Sequence, residues 1–253
     1  MHDILNLNIV LFQSEIESNM EDFKYFGFNE EPDYTGYVGP SGEYDFMGAS
    51  QFRLFCTLGL RATHKLLDFG CGSLRAGRFF LIYLNEGCYC GVEPNKWLIE
   101  DAIKYQIGQD IIRIKKPFFS YNNKFSLDEF DTSFDFILAQ SIFTHTGINL
   151  LNTGLKNFSK YLNPDGIILA TFLEGESDTE GDVWEYPKAV PFRPSTIMQI
   201  AQDADLVATK IPWYRPRQTW YAFAKNKDRL PTPSMFPYLK GTVLFDPEHR
   251  ASW

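Results

Sequence analysis

The feature of the sequence that most restricts the fold is a regular alternation, beginning at Lys65, of short apolar segments with longer helix-like segments. The apolar segments have the length of strands, and turn or helix-capping residues follow them. Strands that alternate with helices in this way predict an α/β domain with a doubly wound, mostly parallel sheet. The predicted strands are 65–69, 89–93, 111–119, 134–140, 166–173, 207–212 and 219–224, and the predicted helices are 73–84, 95–107, 150–162 and 195–205.

The alternation also predicts the domain organisation. Residues 1–64 are acidic and contain a stretch at 29–48, rich in Gly, Pro, Asp and Tyr, that is typical of a loop, so we expect a helical and loop cap. Residues 65–226 form the core domain, and residues 227–253 are expected to pack on it as a C-terminal extension. The run Asn-Pro-Asp-Gly at 163–166 is predicted to form a turn before the fifth strand.

Composition and charge exclude several classes of protein and of partner. A chain of 253 residues that is 44% hydrophobic and 22% charged can bury a sizeable core, which excludes a disordered protein and a disulfide scaffold. The net charge of −8 argues against a nucleic-acid partner. The apolar run at 4–12 follows Asp3 and is interrupted by two asparagines, which is typical of neither a signal peptide nor a membrane span.

The cysteines and histidines bear on metals and on the cellular compartment. Four cysteines and four histidines show none of the spacings expected of a zinc site. We therefore expect no bound metal, reduced thiols and a cytoplasmic protein with neither a membrane nor a nucleic-acid partner. Both a monomer and a homodimer remain open.

Two signals at the ends of the first two strands predict a site for a nucleoside-containing ligand. The first strand leads into the turn Asp68-Phe69-Gly70-Cys71-Gly72, whose glycines let the backbone approach a ligand closely. Glu93 ends the second strand, 21 positions after Gly72, where a carboxylate can accept hydrogen bonds from both hydroxyls of a ribose. In such sheets, ligands bind beyond the carboxyl ends of the strands.

These motifs resemble those of the class I S-adenosylmethionine-dependent methyltransferases. The matching segments are 66–72, 91–95, 134–141 and 162–170, in the family's order. The resemblance covers about residues 65–173, and we can name no motif outside them. It implies a Rossmann-like, seven-stranded sheet and the cofactor S-adenosyl-L-methionine, which leaves as S-adenosyl-L-homocysteine.

The resemblance also implies roles for single residues. Asp68 and the backbone of the glycine turn would hold the methionine part of the cofactor, Glu93 the ribose, and residues 124–127 would lie near the adenine. Gln140 and Ser141 would lie beside the methyl group that is transferred. The complete set of expected cofactor-binding residues is Asp68, Gly70, Cys71, Gly72, Ser73, Arg75, Glu93, Pro94, Asn95, Gln140 and Ser141.

One position departs from the family pattern. Leu74 stands where the family usually has a third glycine, which would serve a dinucleotide pyrophosphate poorly but is tolerable for a cofactor without phosphate. Arg75 follows, where a helix is predicted to start at Ser73. The arginine is expected either to reach the cofactor's carboxylate or an acidic substrate, or to lie in solvent on the helix.

His145 is the candidate catalytic residue. It lies just beyond the fourth predicted strand, over the cleft, and a histidine is the natural base for removing a hydroxyl proton near neutral pH. A structural role is the alternative. The aromatic residues Tyr44, Phe46, Trp184 and Tyr214, outside the core motifs, are expected either to contact the substrate or to pack as core and lid. Arg215 is expected either to bind an anionic substrate or to be simply exposed.

The sequence thus predicts an S-adenosylmethionine-dependent methyltransferase that acts on a small molecule. The favoured reaction is O-methyl transfer to a sugar, a nucleotide-linked compound or a secondary metabolite. The alternatives are an N-methyltransferase for a small amine, an NAD(P)-dependent oxidoreductase, and a non-catalytic partner subunit with a methyltransferase fold. The missing third glycine disfavours the oxidoreductase, and the intact Asp68, Gly70, Gly72 and Glu93 disfavour the non-catalytic subunit.

Overall fold

The strands of the core pair into one mostly parallel sheet. The computed structural model describes residues 33–182, 184–186 and 188–240. Its strands are β1 Leu66–Phe69, β2 Tyr89–Val92, β3 Phe118–Ser120, β4 Phe134–Ala139, β5 Leu162–Glu174, β6 Pro191–Phe192, β7 Val207–Ile211 and β8 Thr219–Ala224. The main order is β3-β2-β1-β4-β5-β8-β7, with β6 paired to the end of β5. Only β8 runs antiparallel to its neighbours, so the doubly wound, mostly parallel, seven-stranded sheet is confirmed.

Helices cover both faces of the sheet. They are α1 Tyr44–Thr57, α2 Gly77–Tyr83, α3 Lys96–Ala102, α4 Gln109–Lys115, α5 Ile148–Tyr161 and α6 Pro194–Asp203. Successive strand residues point to opposite faces. Leu66 therefore joins a core cluster with Phe80 of α2, whereas Leu67 joins a second cluster with Phe158 of α5. A sheet buried on both faces explains why its strands are almost wholly apolar.

The strand order places the ligand crevice. The chain leaves β1 toward β2 on one side and later returns to pair β4 on the other, so the order reverses between β1 and β4. Ligands of doubly wound sheets bind at this reversal, beyond the carboxyl ends of the strands. The turn 70–72 follows β1 and Gln140 follows β4, so the residues predicted for the cofactor lie at the reversal.

The predicted third strand at 111–119 is wrong over most of its length. Residues Gln109–Lys115 form α4, and β3 is confined to Phe118–Ser120. The isoleucines in this segment suggested a strand, but Ile111 and Ile112 pack against the cluster on one face of the sheet while Ile114 is exposed. Packing on one side of a helix has overridden the β propensity of these residues.

The start of the helix after β1 was also predicted wrongly. Residues 71–76 form a series of turns, and α2 begins only at Gly77. The Ser73 hydroxyl donates to the hydroxyl of Tyr44 (3.2 Å) instead of capping a helix. Leu74 has a φ of +56°, a left-handed conformation that no leucine adopts readily and that interrupts the helix.

Three further boundaries differ. The predicted turn at 163–166 lies inside β5, as an irregularity between the pairs Phe134–Leu162 and Phe136–Ile167. The predicted helix 95–107 ends as an α-helix at Ala102 and continues as a π-helical turn. The loop predicted at 29–48 gives way to α1 at Tyr44, and its residues 29–32 lie outside the described residues, as do 1–28 of the cap and 241–253 of the C-terminal extension. No helix in the described part of the chain is both long and apolar enough to cross a membrane.

Substitutions at Leu74 test its backbone conformation. Leu74 is fully buried, and its left-handed φ costs a non-glycine residue about 1–2 kcal/mol. Leu74→Gly should therefore be as stable as Leu74→Ala, or more stable, although it removes one more carbon atom. At the buried Leu81, inside α2, Gly should be less stable than Ala by about 1 kcal/mol.

Urea unfolding of these four variants measures both differences. If Leu74→Gly proves about 1 kcal/mol less stable than Leu74→Ala, as is expected inside a helix, the left-handed conformation at Leu74 is contradicted.

Candidate active site

The carboxylate of Glu93 joins two turns at the carboxyl ends of β1 and β2. Its Oε2 accepts a hydrogen bond from the backbone N–H of Gly72 (3.1 Å). Its Oε1 accepts from the backbone N–H (2.8 Å) and the side-chain amide (2.9 Å) of Asn95. The side chain is buried, which raises the pKa of Glu93, while these hydrogen bonds act in the opposite direction. Asn95 thus supports Glu93 rather than capping α3, and the neighbouring Pro94 is exposed.

The glycine turn bends over the end of β2 and is itself covered. The backbone N–H groups of Gly70 and Cys71 donate to the carbonyl of Val92 (2.8 and 3.0 Å). Gly70 has a φ of +73°, and a Cβ at that position would lie 2.0 Å from Ile142. Gly72 has a φ of +53°, and its Cβ would lie 2.6 Å from the side chain of Val38. Both positions therefore favour glycine through their left-handed φ, and any side chain there would displace Ile142 or Val38.

Asp68 lies beneath this turn, at the end of β1. The hydroxyl of Tyr89 donates to its Oδ2 (2.8 Å), and both side chains are buried. Burial raises the pKa of Asp68 to about 7, with the Tyr89 hydrogen bond and the charge of Arg75 acting in the opposite direction. A carboxyl with this pKa changes its charge near neutral pH. Cys71, beside it, is a buried free thiol whose pKa burial also raises.

Residues 33–43, which we call the strap, cross the glycine turn from outside the core domain. The Arg75 Nη1 donates to the carbonyl of Val38 (2.7 Å), so Arg75 is held under the strap and is not a solvated helix residue. The ring of Tyr37 meets the edge of Trp97 (5.3 Å between centroids) and stacks on Tyr186 (6.5 Å). The charge of Glu93 helps to raise the pKa of Tyr37, although burial is the larger cause. The strap therefore covers the predicted ribose and methionine sites.

Polar groups lie unpaired at the end of β4. Both amide atoms of the buried Gln140 lack a hydrogen-bond partner. Ser141 has a left-handed φ of +57°, and its backbone N–H donates to the Thr171 hydroxyl (2.8 Å). Its Oγ lies 3.1 Å from both amide atoms of Gln218 and accepts from the Arg215 Nη2 (3.3 Å). Ser141 thus ties the loop between β7 and β8 to the end of β4.

His145 is oriented by a backbone carbonyl. It ends the short 3₁₀ helix Phe143–His145, and its Nδ1 lies 3.0 Å from the carbonyl oxygen of Lys188. Because a carbonyl only accepts hydrogen bonds, Nδ1 carries the proton in the neutral ring and Nε2 keeps its lone pair. Burial lowers the pKa of His145, and its ring contacts the edge of Tyr186 (5.1 Å). The arrangement is compatible with a general base.

The residues predicted to contact the substrate divide into three groups. Phe46 and Tyr214 come together (6.2 Å between ring centroids), next to Arg215 in the sequence. Tyr44 is buried, and its hydroxyl donates to the Ser73 carbonyl (2.7 Å), so it supports the glycine turn. Trp184 stacks on Phe125 (5.4 Å) on the side of the cleft where His145 lies.

Several residues of the site carry no signal that the sequence analysis used. Val38, Tyr89 and Gln218 are far in sequence from the residues they contact, and no local pattern marks them. The one available clue to the hydrogen bond between Tyr89 and Asp68 was that an acidic residue on β1 and a tyrosine at the start of β2 lie on neighbouring strands. Among the described residues, no group of three or more His, Cys, Asp or Glu side chains could hold a metal ion.

Comparisons with known proteins find a methyltransferase-domain match in part of the chain and a similar fold in solved methyltransferases. A family model described as a methyltransferase domain matches residues 67–168. The fold is similar to magnesium protoporphyrin IX methyltransferase from Synechocystis PCC 6803 with bound S-adenosylhomocysteine, with a TM-score of 0.56 and 8% identity over 83% of this chain and 94% of that one. It is also similar to a S-adenosylmethionine-dependent methyltransferase from Clostridium acetobutylicum ATCC 824 (0.53, 11%, 71% and 92%) and to the CcbJ methyltransferase from Streptomyces caelestis (0.55, 14%, 77% and 99%). No curated protein sequence matches the chain.

The glycine turn and Glu93 lie inside the region, residues 67–168, that matches the methyltransferase-domain model, which is about 40% of the chain. The fold of the chain is similar to that of solved S-adenosylmethionine-dependent methyltransferases. At such low identities the solved structures establish the fold, and the substrates of these proteins are not assigned to this chain.

The pKa of Asp68 predicts how stability depends on pH. The unfolded chain releases the Asp68 proton near its ordinary pKa of 3.8, whereas the folded protein keeps it until about pH 7. Between these values the folded state binds more protons, so stability falls as pH rises, by up to about 1.4 kcal/mol per pH unit.

Asp68→Asn removes this dependence while it keeps the size of the side chain. The free energy of unfolding of the wild type minus that of Asp68→Asn should fall between pH 4 and pH 7 and be flat on either side. Urea unfolding across pH measures this difference. A difference that stays constant over the whole range would show that Asp68 ionises normally in the folded protein.

Proposed function

We propose that this chain is a class I S-adenosylmethionine-dependent methyltransferase, and that it transfers the methyl group of S-adenosylmethionine to a hydroxyl oxygen of a small molecule, such as a sugar, a nucleotide-linked compound or a secondary metabolite. The observation that carries the proposal is the orientation of His145. Its Nδ1 is committed to the Lys188 carbonyl, and burial keeps the ring neutral near pH 7. A neutral imidazole with Nε2 as acceptor suits a substrate that must lose a proton, and a hydroxyl is such a substrate.

The residues at the carboxyl ends of β1, β2 and β4 fit the cofactor. Glu93 uses three of about four acceptor positions on its carboxylate, so one ribose hydroxyl can bind directly and a second can replace the Gly72 amide. Asp68, once ionised, attracts the positive charge of the methionine part. The unpaired amide of Gln140 lies where a ligand would satisfy it. Val38 covers Gly72, so the strap moves outward when the cofactor enters.

Residues of the chain would then align the acceptor with the methyl group. When bound, the cofactor supplies a methyl group on a sulfonium, which leaves as a neutral thioether. Gln140 and Ser141 hold the acceptor oxygen near that methyl group, and positioning of this kind provides a large share of the rate. The Nε2 of His145 would take the proton that the acceptor hydroxyl loses on methylation. The histidine later returns this proton to solvent.

Removal of the Glu93 carboxylate tests the cofactor site. Glu93→Ala should weaken binding of S-adenosylhomocysteine by roughly 10- to 150-fold, which corresponds to about 1.5–3 kcal/mol for a hydrogen bond to a charged group. Calorimetry measures the affinity, and circular dichroism confirms that the variant is folded. Glu100→Ala is the matched control, because it removes an exposed carboxylate from the neighbouring helix α3. Unchanged affinity in a folded Glu93→Ala variant would remove Glu93 from the site.

Substitution of His145 tests the chemistry. With an acceptor found by screening hydroxylated small molecules for methyl uptake, His145→Gln should lower single-turnover rates by roughly 10²–10⁴-fold and leave cofactor affinity nearly unchanged. With the cofactor saturating at every pH, so that protonation of Asp68 does not limit binding, the wild-type rate should decline on the acid side only below the ordinary histidine pKa of 6.5, because burial lowers the pKa of His145.

His64→Gln serves as the control for His145. His64 precedes β1, at the opposite end of the sheet from the cleft, and its Nδ1 accepts from the backbone of Arg61. This variant should keep the wild-type rate. A loss of less than about fivefold in His145→Gln, with the wild-type pH profile, would assign His145 to structure and leave positioning as the main source of catalysis.

A further inference from the structure

Buried polar atoms without partners concentrate in one part of the described structure. Seven such side-chain atoms occur there, and five of them belong to four residues around the end of β4 and the strap. They are the Nε of Arg75, both amide atoms of Gln140, the hydroxyl of Thr144 and the Nε of Arg215. Native structures rarely leave buried polar atoms unpaired, so a concentration of them marks a place where a ligand completes the hydrogen bonds.

Arg215 is fixed in this place by a specific contact. Its Nη2 donates to the Ser141 hydroxyl (3.3 Å), and Gln218 holds the same hydroxyl from the other end of the loop between β7 and β8. Ser141 is in turn held by Thr171 of β5. The guanidinium therefore lies at the end of β4, where the proposed function places the methyl group, and its charge interacts with that of Arg75.

The charges around Arg215 favour an anion. Burial lowers the pKa of Arg215 to about 10, and the nearby positive charges of Arg75 and Arg217 act in the same direction. Glu43 and Tyr214 act in the opposite direction and more weakly than burial. The guanidinium groups of Arg75 and Arg217 thus lie near Arg215 together with the Glu43 carboxylate, and an arriving negative charge would be stabilised by the arginines.

We propose that the methyl acceptor carries an anionic group, a carboxylate or a phosphate, and that Arg215 is the residue that recognises it. This inference rests on the proposed methyl transfer and specifies the class of substrate. The unpaired Nε and an Nη of one guanidinium form the fork that binds two oxygens of such a group. The anion then orients the acceptor so that its hydroxyl lies near Gln140 and His145.

The test uses the full chain saturated with S-adenosylhomocysteine, so that the cofactor's own carboxylate site is filled. Inorganic phosphate and acetate are titrated separately, each against chloride at equal ionic strength, and the melting temperature is followed. The two arms distinguish a phosphate from a carboxylate. The variants are Arg215→Gln, Arg215→Lys and the matched control Arg217→Gln, which removes an exposed arginine from the same loop.

One of the two anions should raise the melting temperature of the wild type and of Arg217→Gln, and bind at least about tenfold more weakly to Arg215→Gln. Arg215→Lys keeps the charge but not the two-pronged geometry of the guanidinium, so its affinity for the anion should lie between those of the wild type and Arg215→Gln. If Arg215→Gln does not fold, Arg215→Lys provides the test. All folded variants should bind S-adenosylhomocysteine like the wild type.

Three results would overturn the inference. The first is no stabilisation by either anion beyond chloride, and the second is an equal loss of binding in Arg217→Gln. The third is competition between the anion and S-adenosylhomocysteine, which would assign Arg215 to the cofactor's carboxylate. Failure of the wild type to bind S-adenosylhomocysteine at all would instead overturn the proposed function, and this inference with it.

Discussion

The buried carboxylate of Glu93 holds the site together. It accepts hydrogen bonds from Gly72 in the turn after β1 and from Asn95 in the turn after β2. Two loops that are 21 residues apart in sequence are thereby fixed at the same edge of the sheet. Burial of this charge is unfavourable, and only the converging N–H donors compensate for it. The glycine turn therefore has a defined shape before a cofactor arrives, which lowers the entropy that binding must overcome.

A second set of contacts at the candidate site comes from the strap, residues 33–43, outside the core domain. The strap places Val38 on Gly72 and fixes Arg75 through a backbone carbonyl, while Tyr37 reaches Trp97 and Tyr186 across the cleft. Residues 33–43, which precede the core domain, therefore cover part of the candidate site. On the other side of the cleft, the loop that carries Arg215 is tied to Ser141. Under the proposed function, the sheet and the strap enclose the cofactor, and the loop that carries Arg215 contacts the acceptor, as is common for loops on rigid scaffolds.

The sequence predicted the sheet, and it predicted that the glycine turn and Glu93 lie together at one edge, because both depend on local patterns. Strands buried on both faces are almost wholly apolar, and an acid at the end of β2 follows the glycine turn at a typical distance. The segment 109–115 was missed because its isoleucines favour a strand when packing is unknown. Leu74 could not be read as left-handed, since that conformation is imposed by its surroundings. The contacts of Val38 with Gly72 and of Arg215 with Ser141 join distant residues, and no local pattern carries them.

The central claim is that Glu93 and the glycine turn bind the adenosyl and methionine parts of the cofactor beneath the strap. A crystal structure of the protein with S-adenosylhomocysteine tests it most directly. The account predicts a ribose hydroxyl within hydrogen-bonding distance of the Glu93 carboxylate, a partner for the amide of Gln140, and Val38 displaced from Gly72. Ligand density away from the ends of β1 and β2, or Val38 still in contact with Gly72 in the occupied protein, would contradict it.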